Sequence, residues 1–178
     1  MELDTLYISI QIEKERLNAF FAARPMQAAI DKNWLQWWES RQMYNKSDLE
    51  TIPTYSRQCI RDVLDDLLNT ASYGAMEQYD DTDQRWTFAA LHFSENYHEI
   101  LPMLALFKQL GSYTQTGFAL IFDWMWGGDT VMAYIDFKGG EASIEPVIAS
   151  YEVELKRFEE ADSYLQVLSE TLYGNGQD

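Results

Sequence analysis

Three apolar runs between residues 117 and 147, joined by paired glycines, restrict the fold more than any other feature of this sequence. Residues 117–126, 130–137 and 142–147 read as strands, with Gly127-Gly128-Asp129 and Gly139-Gly140 as the links between them. Links this short make antiparallel hairpins, because a parallel crossover takes about a dozen residues or more. Three strands in succession on tight turns form a meander. The C-terminal half is therefore committed to an antiparallel sheet.

The other periodicities supply what pairs with that sheet and packs on it. Leu6, Ile8, Ile10 and Ile12 alternate with Tyr7, Ser9 and Gln11, the period of a strand with one buried face. Residues 85–93 put Trp86, Phe88, Ala90 and His92 on one side and Thr87, Ala89, Leu91 and Phe93 on the other. Apolar groups on both sides fit a strand covered on both faces. Leu17, Phe20 and Phe21 share a helical face that ends near Pro25. A second helix is expected over 26–44, with the stripe Ile30, Trp34, Trp37 and Trp38. A third, over 56–72, aligns Ile60, Val63, Leu64, Leu67, Leu68 and Ala71, with Ser56 as its N-cap.

Residues 74–83 are polar and acidic and read as an exposed loop. Ser94 is the expected cap of a helix carrying Ile100, Leu101, Leu104 and Leu110. Pro102 marks a restart or a kink in it, and Gly111 its stop. The last helix, over 151–173, aligns Tyr151, Leu155, Phe158, Leu165, Leu168 and Leu172. Residues 174–178 read as a frayed tail. The expected class is α+β in a single globular domain, residues 1–178. It has a mostly antiparallel sheet with a C-terminal meander, helices packed on it, and a long C-terminal helix.

Composition narrows the function classes. Aromatic residues make up 15% of the chain, which disorder does not tolerate. A single cysteine, Cys59, excludes an internal disulfide framework and a cysteine-based zinc site. Its place beside an apolar stripe fits a buried structural thiol better than a nucleophile. No basic start precedes an apolar run, and no apolar stretch reaches the length of a membrane span, so a cytoplasmic protein without membrane contact is expected. Lys and Arg number 13 against 29 Asp and Glu, a net charge of -16 that disfavours direct contact with a nucleic-acid backbone.

The sequence holds no Gly-x-Ser-x-Gly elbow, Walker loop, Rossmann glycine pattern or His-Glu-x-x-His. His92, Glu95 and His98 are close enough to suit a metal, but such helix motifs need ligands from further helices. A solvated helix start, with acids complementing its dipole, is the simpler reading, so no metal or cofactor is expected. Asp123 lies among Phe122, Trp124 and Trp126 and Asp136 in the next strand, an arrangement that suits a sugar cleft with paired carboxylates. As alternate residues of antiparallel strands they are more simply solvent-facing, and no enzymatic activity is expected.

Charge and tryptophan remain. Residues 1–89 carry 9 basic and 15 acidic side chains, and residues 90–178 carry 4 and 14. The acids cluster at Asp62, Asp65 and Asp66, at Asp80, Asp81 and Asp83, and from Glu152 to Asp162. Solubility accounts for a diffuse acidic surface. Clustered charge does more, steering basic partners and raising their association rate. Three tryptophans on so short a stretch exceed what one helix face ordinarily buries, and Trp is enriched at interfaces, so Trp37 or Trp38 is the expected anchor, with Trp37 exposed.

The expected function is that of an acidic inhibitor, such as an immunity protein or antitoxin neutralising a basic, nuclease-type toxin. It would bind this basic protein through Asp62, Asp65, Asp66, Asp80, Asp81 and Asp83 with Trp37 and Trp38. Two alternatives stand beside it. One is a nucleic-acid mimic that antagonises host defence, as phage-type proteins do. The other is a ligand-binding or enzymatic domain built on residues 122–136.

Overall fold

In the computed structural model, which describes residues 2–174, β1 (Asp4–Gln11) lies inside a six-stranded sheet. The strand order is β2 (Ala75–Asp80), β3 (Arg85–Ser94), β1, β4 (Thr116–Phe122), β5 (Val131–Lys138) and β6 (Glu141–Glu145). Every neighbouring pair is antiparallel. Among the described residues five α-helices complete an α+β fold: α1 (Lys14–Ala22), α2 (Lys32–Ser40), α3 (Ile60–Leu68), α4 (Tyr97–Leu110) and α5 (Leu155–Tyr173). The meander β4–β5–β6 and the long last helix are both present. Gly139 and Gly140 form the β5–β6 turn at φ of 62° and 84°, two left-handed positions that match the twist of a tight hairpin. No helix among the described residues is long and apolar enough to cross a membrane.

The sheet buries both faces. Leu6, Ile8 and Ile10 join Trp86, Phe88, Ile121, Ile135 and Phe137 against the layer made by α1 to α4. Tyr7, Leu91, Phe118, Leu120 and Phe122 point the other way and meet Ala161, Leu165 and Leu168 of α5. The two-sided apolar pattern of β3 has its cause here, since helices cover the sheet on both sides. Its alternation breaks at the end. The register with β1 shifts between Leu6↔Ala90 and Asp4↔Ser94, and Phe93 turns into the layer of Leu6 rather than that of Leu91.

Several expected boundaries move, each for a local reason. Helix α2 starts after Asp31, whose carboxylate accepts from Trp34 N at 3.1 Å, and not at residue 26. Helix α3 starts at Ile60 with Cys59, a partly buried free thiol, in the N-cap position; Ser56 does not cap it. Residues 74–83 are not a loop, because β2 pairs with β3 as far as Asp80↔Arg85. Asn96 caps α4, its Oδ1 accepting from His98 N at 2.9 Å, while Ser94 Oγ accepts from Asn96 N. Helix α4 runs through Pro102 as one element.

Gly111 is right-handed at φ -51°, so its role is not a left-handed stop. A Cβ there would lie 2.7 Å from Ala142 N, and glycine lets α4 close onto β6. Strand β4 ends at Phe122, and residues 124–126 form a 3-10 turn instead of continuing it. Helix α5 begins at Leu155, and of the expected stripe only Leu165 and Leu168 are buried, Phe158 is partly so, and Leu172 is exposed. Tyr151 and Leu155 are 88% and 68% exposed. Residues 175–178 of the expected frayed tail lie outside the described residues.

Candidate functional site

The tryptophans of α2 are core. Trp37 is 0% and Trp38 8% exposed, so neither is available as an anchor, contrary to the expectation from sequence. The bulk is accommodated because each ring has its own wall. Trp37 Nε1 donates to Met132 O of β5 at 3.0 Å, and Trp38 Nε1 donates to Ser47 O at 2.9 Å. Trp34 meets Trp37 edge-on, and the Tyr97 ring packs against both Trp37 and Trp38.

The six expected aspartates do not form one unpaired patch on a helix and its following loop. On α3, Asp65 lies 2.9 Å from Arg61 Nε, within ion-pair distance, and Arg61 also donates twice to Glu77 of β2. Asp66 holds Arg57 at 3.1 Å, which leaves Asp62 without an ion pair among the described residues. Asp80 Oδ1 organises the β2–β3 turn by accepting from Thr82 N and Asp83 N. Asp81 and Asp83 are exposed in that turn.

The other candidates separate as well. His92 Nε2 lies 3.0 Å from Tyr173 OH, while Glu95 and His98 are exposed. Among the described residues no three His, Cys, Asp or Glu side chains are grouped to hold a metal ion. Asp136 pairs with Arg157 at 2.8 Å, in register with Phe118 near the start of β4, whereas Asp123 follows the end of that strand. The two acids share no cleft. Trp124 Nε1 donates to Asp162 of α5 at 2.9 Å, and Trp126 is 52% exposed.

A different surface emerges at that end of the sheet. Asp123 O accepts from Trp126 N at 2.7 Å and from Gly128 N at 3.1 Å, closing the 3-10 turn. Asp123 Oδ1 accepts from Thr130 N at 3.0 Å. Segment 148–150 then runs alongside: Ser150 N donates to Asp129 O, Val131 N donates to Ile148 O, and Thr130 bridges Ala149. Residues 123–131 and 148–155 together carry Met125, Trp126, Ile148, Tyr151 and Leu155, five of the eleven large apolar side chains exposed among the described residues. Exposed apolar side chains carried on paired segments mark interaction sites more often than scattered ones do.

Beside this cluster opens a cleft of about 520 Å³, lined by Glu2, Asp4, Arg41, Tyr97, Asp123 and Asp129 among others. Arg41 is 5% exposed. Its NH1 donates to Val131 O and Met132 O, its NH2 to Val147 O and Ser40 Oγ, and its Nε to Ser40 Oγ. All five N–H donors of a guanidinium are thereby occupied, and the cation serves as a clamp on backbone carbonyls. Burial lowers the Arg41 pKa, against the pull of Tyr97 and Glu152.

Asp4 has the opposite problem. Burial first, then repulsion from Asp123 and from Glu95, pushes its carboxyl up to about 7. The cleft thus gathers negative charge without a cation free to answer it among the described residues. No protein-family model, no curated protein and no solved structure matches the chain.

Proposed function

We propose that the chain is an acidic inhibitor that caps a basic protein, as an immunity protein or antitoxin caps a nuclease-type toxin, and that it acts in the cytoplasm. The surface is the end of the sheet formed by residues 123–131 and 148–155. One observation carries the reading: exposed Ile148 lines a cleft whose carboxylates lack a free counter-charge, and the paired segments that hold it also expose Trp126, Tyr151 and Leu155. A buried aromatic centre governs how slowly a complex dissociates, and a charged rim governs how fast it forms. A lysine or arginine of the partner entering the cleft would meet Asp4, Asp123 and Asp129. The acids of α3 and of the β2–β3 turn add to the long-range field that steers the partner in.

Affinity capture from the chain's own cells tests this with three baits: the unaltered protein, Trp126→Ala with Tyr151→Ala, and Asp65→Lys with Asp81→Lys. The expected result is a basic protein retained by the first, lost from the second and captured more slowly by the third. Retention by the Trp126/Tyr151 variant with loss from the Asp65/Asp81 variant moves the surface to α3 and the β2–β3 turn. Retention of no basic protein by the unaltered chain sinks the inhibitor reading.

A further inference from the structure

Segment 53–56, α3, the end of β3 and the start of α4 enclose a second pocket, of about 460 Å³. That volume lies in the range of sites for small organic molecules. The walls are apolar and aromatic, with Tyr55, Val63, Leu67, Tyr73, Phe93 and Pro102 contributing. The polar groups at its mouth fall into two sets. Asp66 already holds Arg57, and Thr70 Oγ1 donates to Asp66 O at 2.7 Å. Glu99 makes no ion pair among the described residues; His98 beside it is the one basic side chain in the lining, and no lysine or arginine lines the pocket. The Tyr55 phenol is raised by burial and then by Tyr73 and Glu99, so these three groups lie near one another.

We propose that this pocket binds a small organic cation: a flat or apolar body seated against Tyr55, Tyr73 and Phe93, with one ammonium group held at Glu99. Aromatic faces attract a cation through their quadrupoles, and an uncompensated carboxylate fixes where it sits. The same carboxylate, with Asp66 beside it, repels an anion of equal size. The pocket shares no lining residue with the cleft assigned to the partner, although Phe93 and His98 neighbour the Ser94 and Tyr97 positions beside it, and binding of a small amine there does not depend on that assignment.

Phenethylamine, protonated at pH 8, is a suitable probe for the full chain, with phenylpropanol and phenylacetate as neutral and anionic controls. Backbone amide NMR shifts are the readout. The expected result is saturable shifts at Tyr55, Thr70, Tyr73 and Glu99 with the amine, weaker ones with the alcohol and none with phenylacetate. Glu99→Gln should weaken the amine about threefold to fivefold, the scale of an exposed ion pair, and bring it to the level of the alcohol. Absence of saturable shifts with the amine overturns the proposal. So does phenylacetate binding as well as the amine, or unchanged amine affinity in Glu99→Gln.

Discussion

Replacing Asp4 by Asn is expected to stabilise the chain at pH 8 and to do so much less at pH 5. The folded chain holds this carboxyl at about 7, up from 3.8, through burial and the nearby Asp123 and Glu95. In the unfolded chain it returns to the ordinary value. Between the two values the folded state keeps a proton that the unfolded state has released, so stability falls as pH rises from about 4 to about 7. About three units correspond to about 4 kcal/mol for a sealed group. Asp4 is only partly buried, and solvent screening reduces the expected loss to about 1–2 kcal/mol. Asn has the shape of the protonated acid and carries none of this dependence.

Urea unfolding of both proteins at pH 5, 6.5 and 8 isolates the effect as a difference between them, free of the other carboxylates. The Asn variant should exceed the original by about 1–2 kcal/mol at pH 8 and by about a third of that at pH 5, since the loss begins near pH 4. Equal or lower stability of the variant at pH 8 would refute the reasoning, because Asp4 would then have a favourable partner. The same linkage reaches binding. A cation delivered beside Asp4 lowers its pKa and expels the proton, so affinity for a basic partner should rise between about pH 6 and 8 in the original and stay flatter in Asp4→Asn.

Other substitutions test other parts of the account. Arg41→Lys should cost about 3 kcal/mol in urea unfolding, since an ammonium has too few donors for the acceptors that the guanidinium satisfies. Leu165→Ala should cost about 2–5 kcal/mol, whereas Leu155→Ala should stay within about 0.5 kcal/mol; equal costs would reverse the facing given to α5. Gly111→Ala should lower stability by about 1–3 kcal/mol, because its methyl group collides with the backbone of β6.

The parts of the fold visible in the sequence are those where one physical cause dominates. The meander follows from short glycine-bearing links, a tight turn at Gly139-Gly140 and a longer connection through Gly127-Gly128, and β1 follows from its alternation. Strand β2 was invisible because it is an edge strand paired only with β3, and the run Ala75–Asp80 has no apolar alternation to display. The start of α5 is not legible in the sequence because Tyr151 and Leu155 keep helical spacing although they precede or begin the helix. The burial of Trp37 and Trp38 depends on acceptors at Met132 and Ser47, one distant in sequence and one in an irregular segment. The candidate surface was hidden for the same reason. It joins residues 123–131 to 148–155 by backbone pairing that no local pattern encodes, although Trp126 beside Gly127-Gly128 was a signal that pointed to an exposed aromatic.

The most direct measurement of the central claim is the activity of the captured basic partner titrated with this chain. The account expects activity to fall stoichiometrically and to be silenced at equimolar chain, while Trp126→Ala with Tyr151→Ala requires at least about tenfold more protein, the loss of one hot-spot contact. Full partner activity under saturating chain, or equal inhibition by the double variant, would contradict it.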